Sequence, residues 1–121
     1  MAKVEVLKSQ LESLQNAVPE LKGVLLASNE GLPIAHSFTN GTDPNSVAAL
    51  AAAVSGMGRK VTDKLSTGTL GEVSIQSELG ALFVYSAGSK AILAVLTPQG
   101  ANAGLIHMEA RQAAKDIGEL F

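Results

Sequence analysis

LGEVSIQSELGALFVYSAGSKAILAVL, residues 70–96, is the stretch that decides the fold. Leu70–Ser77 alternates, with Val73 and Ile75 on one side and Glu72, Ser74 and Gln76 on the other. That is the period of a strand with one wet face. Ala81–Ser86 (ALFVYS) and Ala91–Leu96 (AILAVL) are apolar on both faces. Only Ser77-Glu78-Leu79-Gly80 and Ala87-Gly88-Ser89-Lys90 separate the three runs. Connections this short force an antiparallel meander. Strands that are apolar on both faces need cover on both, so the stretch predicts a sheet between layers of helix.

The segment before it, Pro44–Leu65, reads PNSVAALAAAVSGMGRKVTDKL. Asp43 is placed to cap a helix with Pro44 at its first position. At about 100° per residue, Val47, Leu50, Val54, Met57, Val61 and Leu65 form a stripe expected to face the core. The other side carries Ala48, Ala49, Ala52, Ser55 and Gly56, followed by Arg59 and Asp63. A solvated face normally holds longer polar residues. Glycine in a helix interior costs about 1 kcal/mol, and Gly56 and Gly58 both sit there. The small side is therefore expected to admit another backbone, at Ala52 and Gly56 above all, with Gly58 nearer the sheet.

Further out, Gly23–Ser28 (GVLLAS) is a buried strand, Asn29-Glu30-Gly31 a hairpin turn, and Leu32–Phe38 (LPIAHSF) a returning strand. Pro33 cannot donate to a ladder, which puts that strand at a sheet edge. Residues 3–18 form a first helix on Val4, Leu7, Leu11, Leu14 and Val18. Thr97-Pro98-Gln99-Gly100 breaks the chain, and Asn102 caps a last helix carrying Leu105 or Ile106, Ala110, Ala113, Ile117 and Leu120. The order is αββαβββα over a single domain, 1–121: an α/β (α+β) three-layer sandwich with helices on both faces. The half-polar strand 70–77 is the second natural edge, giving a five-stranded antiparallel sheet of order 2-1-5-4-3. No Pro or Lys guards the 70–77 edge against pairing with another chain.

Apolar residues make up 46% of the 121, the net charge is −2, and cysteine is absent. That describes one folded domain without disulfides or thiolate metal sites. The scattered Lys and Arg give no footprint for nucleic acid or an anionic membrane. No run is long and apolar enough to span a bilayer, and the amphipathic N-terminus lacks the apolar core of a secretory signal. A soluble cytoplasmic protein without membrane insertion is expected.

Catalytic patterns are missing. His36 and His107 stand isolated, without a nearby carboxylate in sequence, and read as ordinary histidines rather than metal ligands. There is no G-x-S-x-G elbow. Gly100–Gly104 lacks the Gly-Lys-Ser/Thr ending of a P-loop and reads as a turn with a helix cap. Of two arginines, Arg59 stands four residues from Asp63 and is expected to pair with it. Three Phe and one Tyr are too few for base-stacking platforms. Asn40-Gly41-Thr42 matches a glycosylation acceptor that has no secretion signal to act on. No cofactor, metal or catalytic residue is expected.

The ordered set of local patterns resembles the Roadblock family, the group of dynein light chains and regulators of small Ras-like GTPases. It rests on Gly23-Val24-Leu25-Leu26, then Asn29-Glu30-Gly31-Leu32-Pro33-Ile34-Ala35, where the family typically has aspartate at the Glu30 position. It continues through the alanine-rich helix, Leu70-Gly71-Glu72-Val73-Ser74-Ile75, Ala91–Leu96 and Ala103-Gly104-Leu105-Ile106. The resemblance implies a non-enzymatic homodimer in which middle helices pack together and third strands join. Carried onto this chain, the interface is Ala48, Ala49, Ala52, Ser55 and Gly56 with Glu72, Val73, Ser74 and Ile75. It also implies that a small Ras-like GTPase docks near Arg59, Lys60, Asp63 and Lys64. The competing readings are a structural scaffold or motor-light-chain subunit that touches no GTPase, and a small-ligand sensor domain.

Overall fold

The computed structural model describes residues 2–39 and 41–121. Asn40, the asparagine of the acceptor pattern, lies outside them. The elements are α1 (Ala2–Ala17), β1 (Gly23–Ser28), β2 (Pro33–Phe38), α2 (Pro44–Leu65), β3 (Glu72–Ser77), β4 (Gly80–Ala87), β5 (Ala91–Pro98) and α3 (Ala103–Gly118). The sheet is wholly antiparallel in the order β2-β1-β5-β4-β3, as the chain pattern requires. Pro33 sits in the edge strand opposite Ala27, where the β1–β2 register slips. An edge is where a residue without an N–H does least harm.

Both helix starts form as expected. Asp43 Oδ1 accepts from the Asn45 N–H at 3.0 Å with Pro44 next in line, and Asn102 Oδ1 accepts from the Leu105 N–H at 3.1 Å. These bonds satisfy N–H groups that a helix leaves orphaned.

Two cores flank the sheet. Helices α1 and α3 share one face, where Leu7, Leu11, Ile106 and Ile117 pack on Val24, Leu26, Tyr85, Leu93 and Val95. Among the described residues, helix α2 lies alone on the other. There Val47, Ala48 and Ala51 meet Leu25, Val84, Ile92 and Ala94, with Leu82 and Leu96 partly buried beside them.

The orientation of α2 overturns most of the stripe reading: Val47 is buried and Val54 half-buried as expected, and the other four members are not. Leu50, Met57, Val61 and Leu65 are exposed, at 62%, 62%, 48% and 67%. The helix turns its small residues inward instead: Ala48, Ala51 and Ser55 are fully buried. These small residues let the helix lie close against the sheet face of Leu25, Ala27, Val84, Ile92 and Ala94. Gly58 belongs to the same fit. A Cβ there would lie 2.7 Å from Val73 Cγ2 and 3.0 Å from Leu70 Cδ2.

Candidate functional site

Turning α2 this way leaves large apolar side chains exposed. Leu50, Met57 and Val61 project from the side of the helix away from the β1–β2 turn, which is the side of β3. Gly58, near them on the helical wheel, faces Val73 and Leu70, which an added Cβ would meet. Beside them on β3, Ile75 is 48% exposed, and Leu79 of the β3–β4 turn is also exposed. Strand β3 pairs with β4 alone among the described residues, so its outer N–H and C=O groups are free. A large apolar patch beside an open strand edge is the combination monomeric domains avoid.

The residues expected at an interface divide. Ala48 and Ser55 are buried against the protein's own sheet and cannot meet another chain. Ala49 and Ala52 flank the β1–β2 turn: a Cβ on Gly31 would lie 3.4 Å from Ala49 Cα and 3.4 Å from Ala52 Cβ. Their smallness lets that turn dock, which is the physical reason the bare side exists. Gly56 faces open space. On β3, Val73 is half-buried under α2, while Ser74 and Ile75 are exposed.

Glu72 is occupied on the other sheet face. Arg111 Nε and Nη2 donate to its two carboxylate oxygens at 2.9 and 2.6 Å. This bidentate pair holds the Glu72 carboxyl below its ordinary range, against the opposing effect of partial burial. His107 Nδ1 lies 3.3 Å from the same carboxylate and 2.8 Å from the hydroxyl of Tyr85. Tyr85 is buried, and burial pushes its hydroxyl well above the usual tyrosine range. This cross-link of β3, β4 and α3 escapes a reading of the linear chain, because Glu72 lies 39 residues from Arg111. It was visible only as two residues four apart on α3, on the side the topology turns toward β3. Its geometry is that of a brace: Arg111 satisfies the carboxylate, and His107 also packs edge-on to the Phe83 ring at 4.9 Å.

Arg59, Lys60, Asp63 and Lys64 are all exposed at the C-terminal half of α2. The expected Arg59–Asp63 pair does not form. Arg59 Nη1 donates instead to the buried Ser55 Oγ at 3.0 Å. No group of three or more His, Asp or Glu side chains among the described residues is placed to hold a metal ion. No described helix is long and apolar enough to cross a membrane.

The architecture first defines a class: three-layer α/β domains with one helix alone on a sheet face and a free strand edge beside it. The chain belongs to the Roadblock/LC7 domain family, whose pattern matches residues 7–97. Uncharacterized protein MJ1340 of Methanocaldococcus jannaschii is 32% identical over 106 residues, covering 88% of this chain and 92% of that protein. The structure of an MglB with tetrameric arrangement superposes with a TM-score of 0.91 at 21% identity, over 99% of this chain and 90% of the other. A Roadblock/LC7 domain from Streptomyces avermitilis does so at 0.85 and 26% identity, over 91% and 92%.

Proposed function

We propose that this protein is a non-enzymatic homodimeric platform that recruits or regulates a small Ras-like GTPase. The observation that carries the self-pairing is the exposed Leu50/Met57/Val61 ridge lying beside the open β3 edge. A two-fold related copy supplies both missing contacts at once, helix ridge on helix ridge and β3 on β3. Relative to the residues expected from sequence, the seam shifts. It keeps Val73, Ser74 and Ile75 and exchanges the small side of α2 for its large apolar side. Gly56, Ala49 and Ala52 then border the seam rather than form it.

Membership of a family that includes regulators of small Ras-like GTPases supports the GTPase assignment, as does the likeness of fold to MglB. At the charged end of α2, Arg59, Lys60 and Asp63 lie off the ridge and Lys64 continues it one heptad beyond Met57; all four are exposed and form the end of the helix offered to a third protein. The test is affinity capture with a small GTPase from the same genome, loaded in turn with GDP and a non-hydrolysable GTP analogue. The reading predicts retention that depends on the nucleotide and falls when Lys60 and Lys64 are both changed to Glu. Equal failure in both nucleotide states returns the protein to the scaffold class.

A further inference from the structure

An open cavity of about 420 Å³ lies at one end of the sheet, where three connections converge. It is lined by Asn29 of the β1–β2 turn, Thr69 and Leu70 of the α2–β3 loop, Ser86 near the end of β4, Ser89 of the β4–β5 turn, and Arg59 of α2. The Asn29 Nδ2 donates to the Ser89 carbonyl at 2.9 Å, tying two of the three walls together.

Arg59 takes part in no ion pair with the described residues. Among the described residues, ion pairs form only within the Glu72, His107 and Arg111 group. Its bond to Ser55 Oγ anchors one guanidinium nitrogen to the core and leaves the other N–H groups without a protein acceptor. A planar fork fixed at one corner loses little freedom on binding, which is the preorganisation that planar oxyanion recognition needs. Three hydroxyls, from Thr69, Ser86 and Ser89, line the same space.

We propose that Arg59 and this cavity form a socket for one carboxylate, carried as an aspartate or glutamate side chain on a protein that docks here. The inference rests on the reading of the chain as an interaction platform and adds the chemistry of the contact. Charge selects a carboxylate over a phosphate. Lys60 and Lys64 do not line the cavity, so a single cation serves it. Asp63 lines the adjoining cavity that shares Arg59, and the C-terminal carbonyls of α2 carry partial negative charge. Both repel a dianion more strongly than a monoanion, and a carboxylate still fills the guanidinium fork with one bidentate pair.

The chain's two arginines make the test direct. The arginine Nε–H region of a ¹H–¹⁵N spectrum contains two resonances, and an R59K variant assigns them. In titrations of the intact protein at constant ionic strength, sodium acetate stands in for the side chain. The Arg59 resonance is expected to shift and saturate with acetate and not with chloride. Arg111, already held by Glu72, stays still. The double variant Thr69→Val/Ser86→Ala is expected to raise the half-saturating acetate concentration several-fold. Equal, non-saturating shifts of both arginines overturn the socket. Saturation by phosphate at a tenfold lower concentration than acetate overturns the carboxylate assignment. Neither result depends on a GTPase, so failure of the GTPase reading leaves this test standing.

Discussion

The direction in which α2 faces the sheet makes opposite predictions for two neighbouring residues, Leu50 and Ala51. Leu50 is 62% exposed, whereas Ala51 is fully buried against the sheet. Complete burial of a leucine side chain is worth about 1.5–3 kcal/mol. The minority of Leu50 that is covered within one chain limits the loss in Leu50→Ala to about 1 kcal/mol. Ala51→Leu adds three carbons where Leu25, Ile92 and Ala94 already fill the space, and overpacking of that kind costs about 1–3 kcal/mol. If the large stripe were the core face, the costs would reverse. Leu50→Ala would then cost about 2–5 kcal/mol, and Ala51→Leu would cost nearly nothing. Urea unfolding of both variants over a hundredfold range of protein concentration measures the difference. Any contribution of Leu50 to self-association appears as a midpoint that moves with concentration, and its intrachain share as the limit at high dilution. A dilution-limit loss above 2 kcal/mol for Leu50→Ala, with a neutral Ala51→Leu, refutes the orientation.

Two glycines should respond oppositely to alanine. Gly56→Ala places a methyl in open space inside a helix and should raise stability by about 0.5–1 kcal/mol. Gly118→Ala brings a Cβ to 2.6 Å from the Gly88 backbone nitrogen, so it should destabilise by about 1–3 kcal/mol and loosen α3 from the β4–β5 turn. Urea midpoints check both signs. Tyr85 is the single tyrosine and there is no tryptophan, so absorbance near 295 nm follows its hydroxyl alone. Burial raises its folded pKa above the ordinary 10.0. The stability linked to it is therefore fully present below pH 10 and falls above it, by about 1.4 kcal/mol per pH unit until the folded group titrates. The phenolate band should appear only with unfolding; a normal titration near pH 10 in the folded state contradicts the buried hydroxyl.

The sheet was legible because each cue constrained a backbone. Pro33 marked one edge, the polar alternation of Glu72, Ser74 and Gln76 marked the other, and two short turns fixed the meander between. Gly58 was legible too, as a gap where the sheet comes close. The rotation of α2 was not. A helical wheel separates a large side from a small side, but which side faces inward depends on the volume the sheet leaves. Here Leu25, Val84 and Ile92 fill that volume. The Arg59–Ser55 bond was hidden for a related reason, since Asp63 stands at an equally good helical spacing and only the burial of Ser55 decides between them.

The measurement closest to the central claim is the mass of the protein in solution, with the α2 ridge intact and altered. Sedimentation equilibrium of the native chain should give twice the 12.4 kDa chain mass. Met57→Glu, which puts a charge on a residue already 62% exposed, should give a folded monomer with an unchanged circular dichroism spectrum. Ala49→Glu, on the side of the β1–β2 turn, provides the contrast. A native protein that stays monomeric, or a dimer that survives Met57→Glu and is lost in a folded Ala49→Glu variant, contradicts the account.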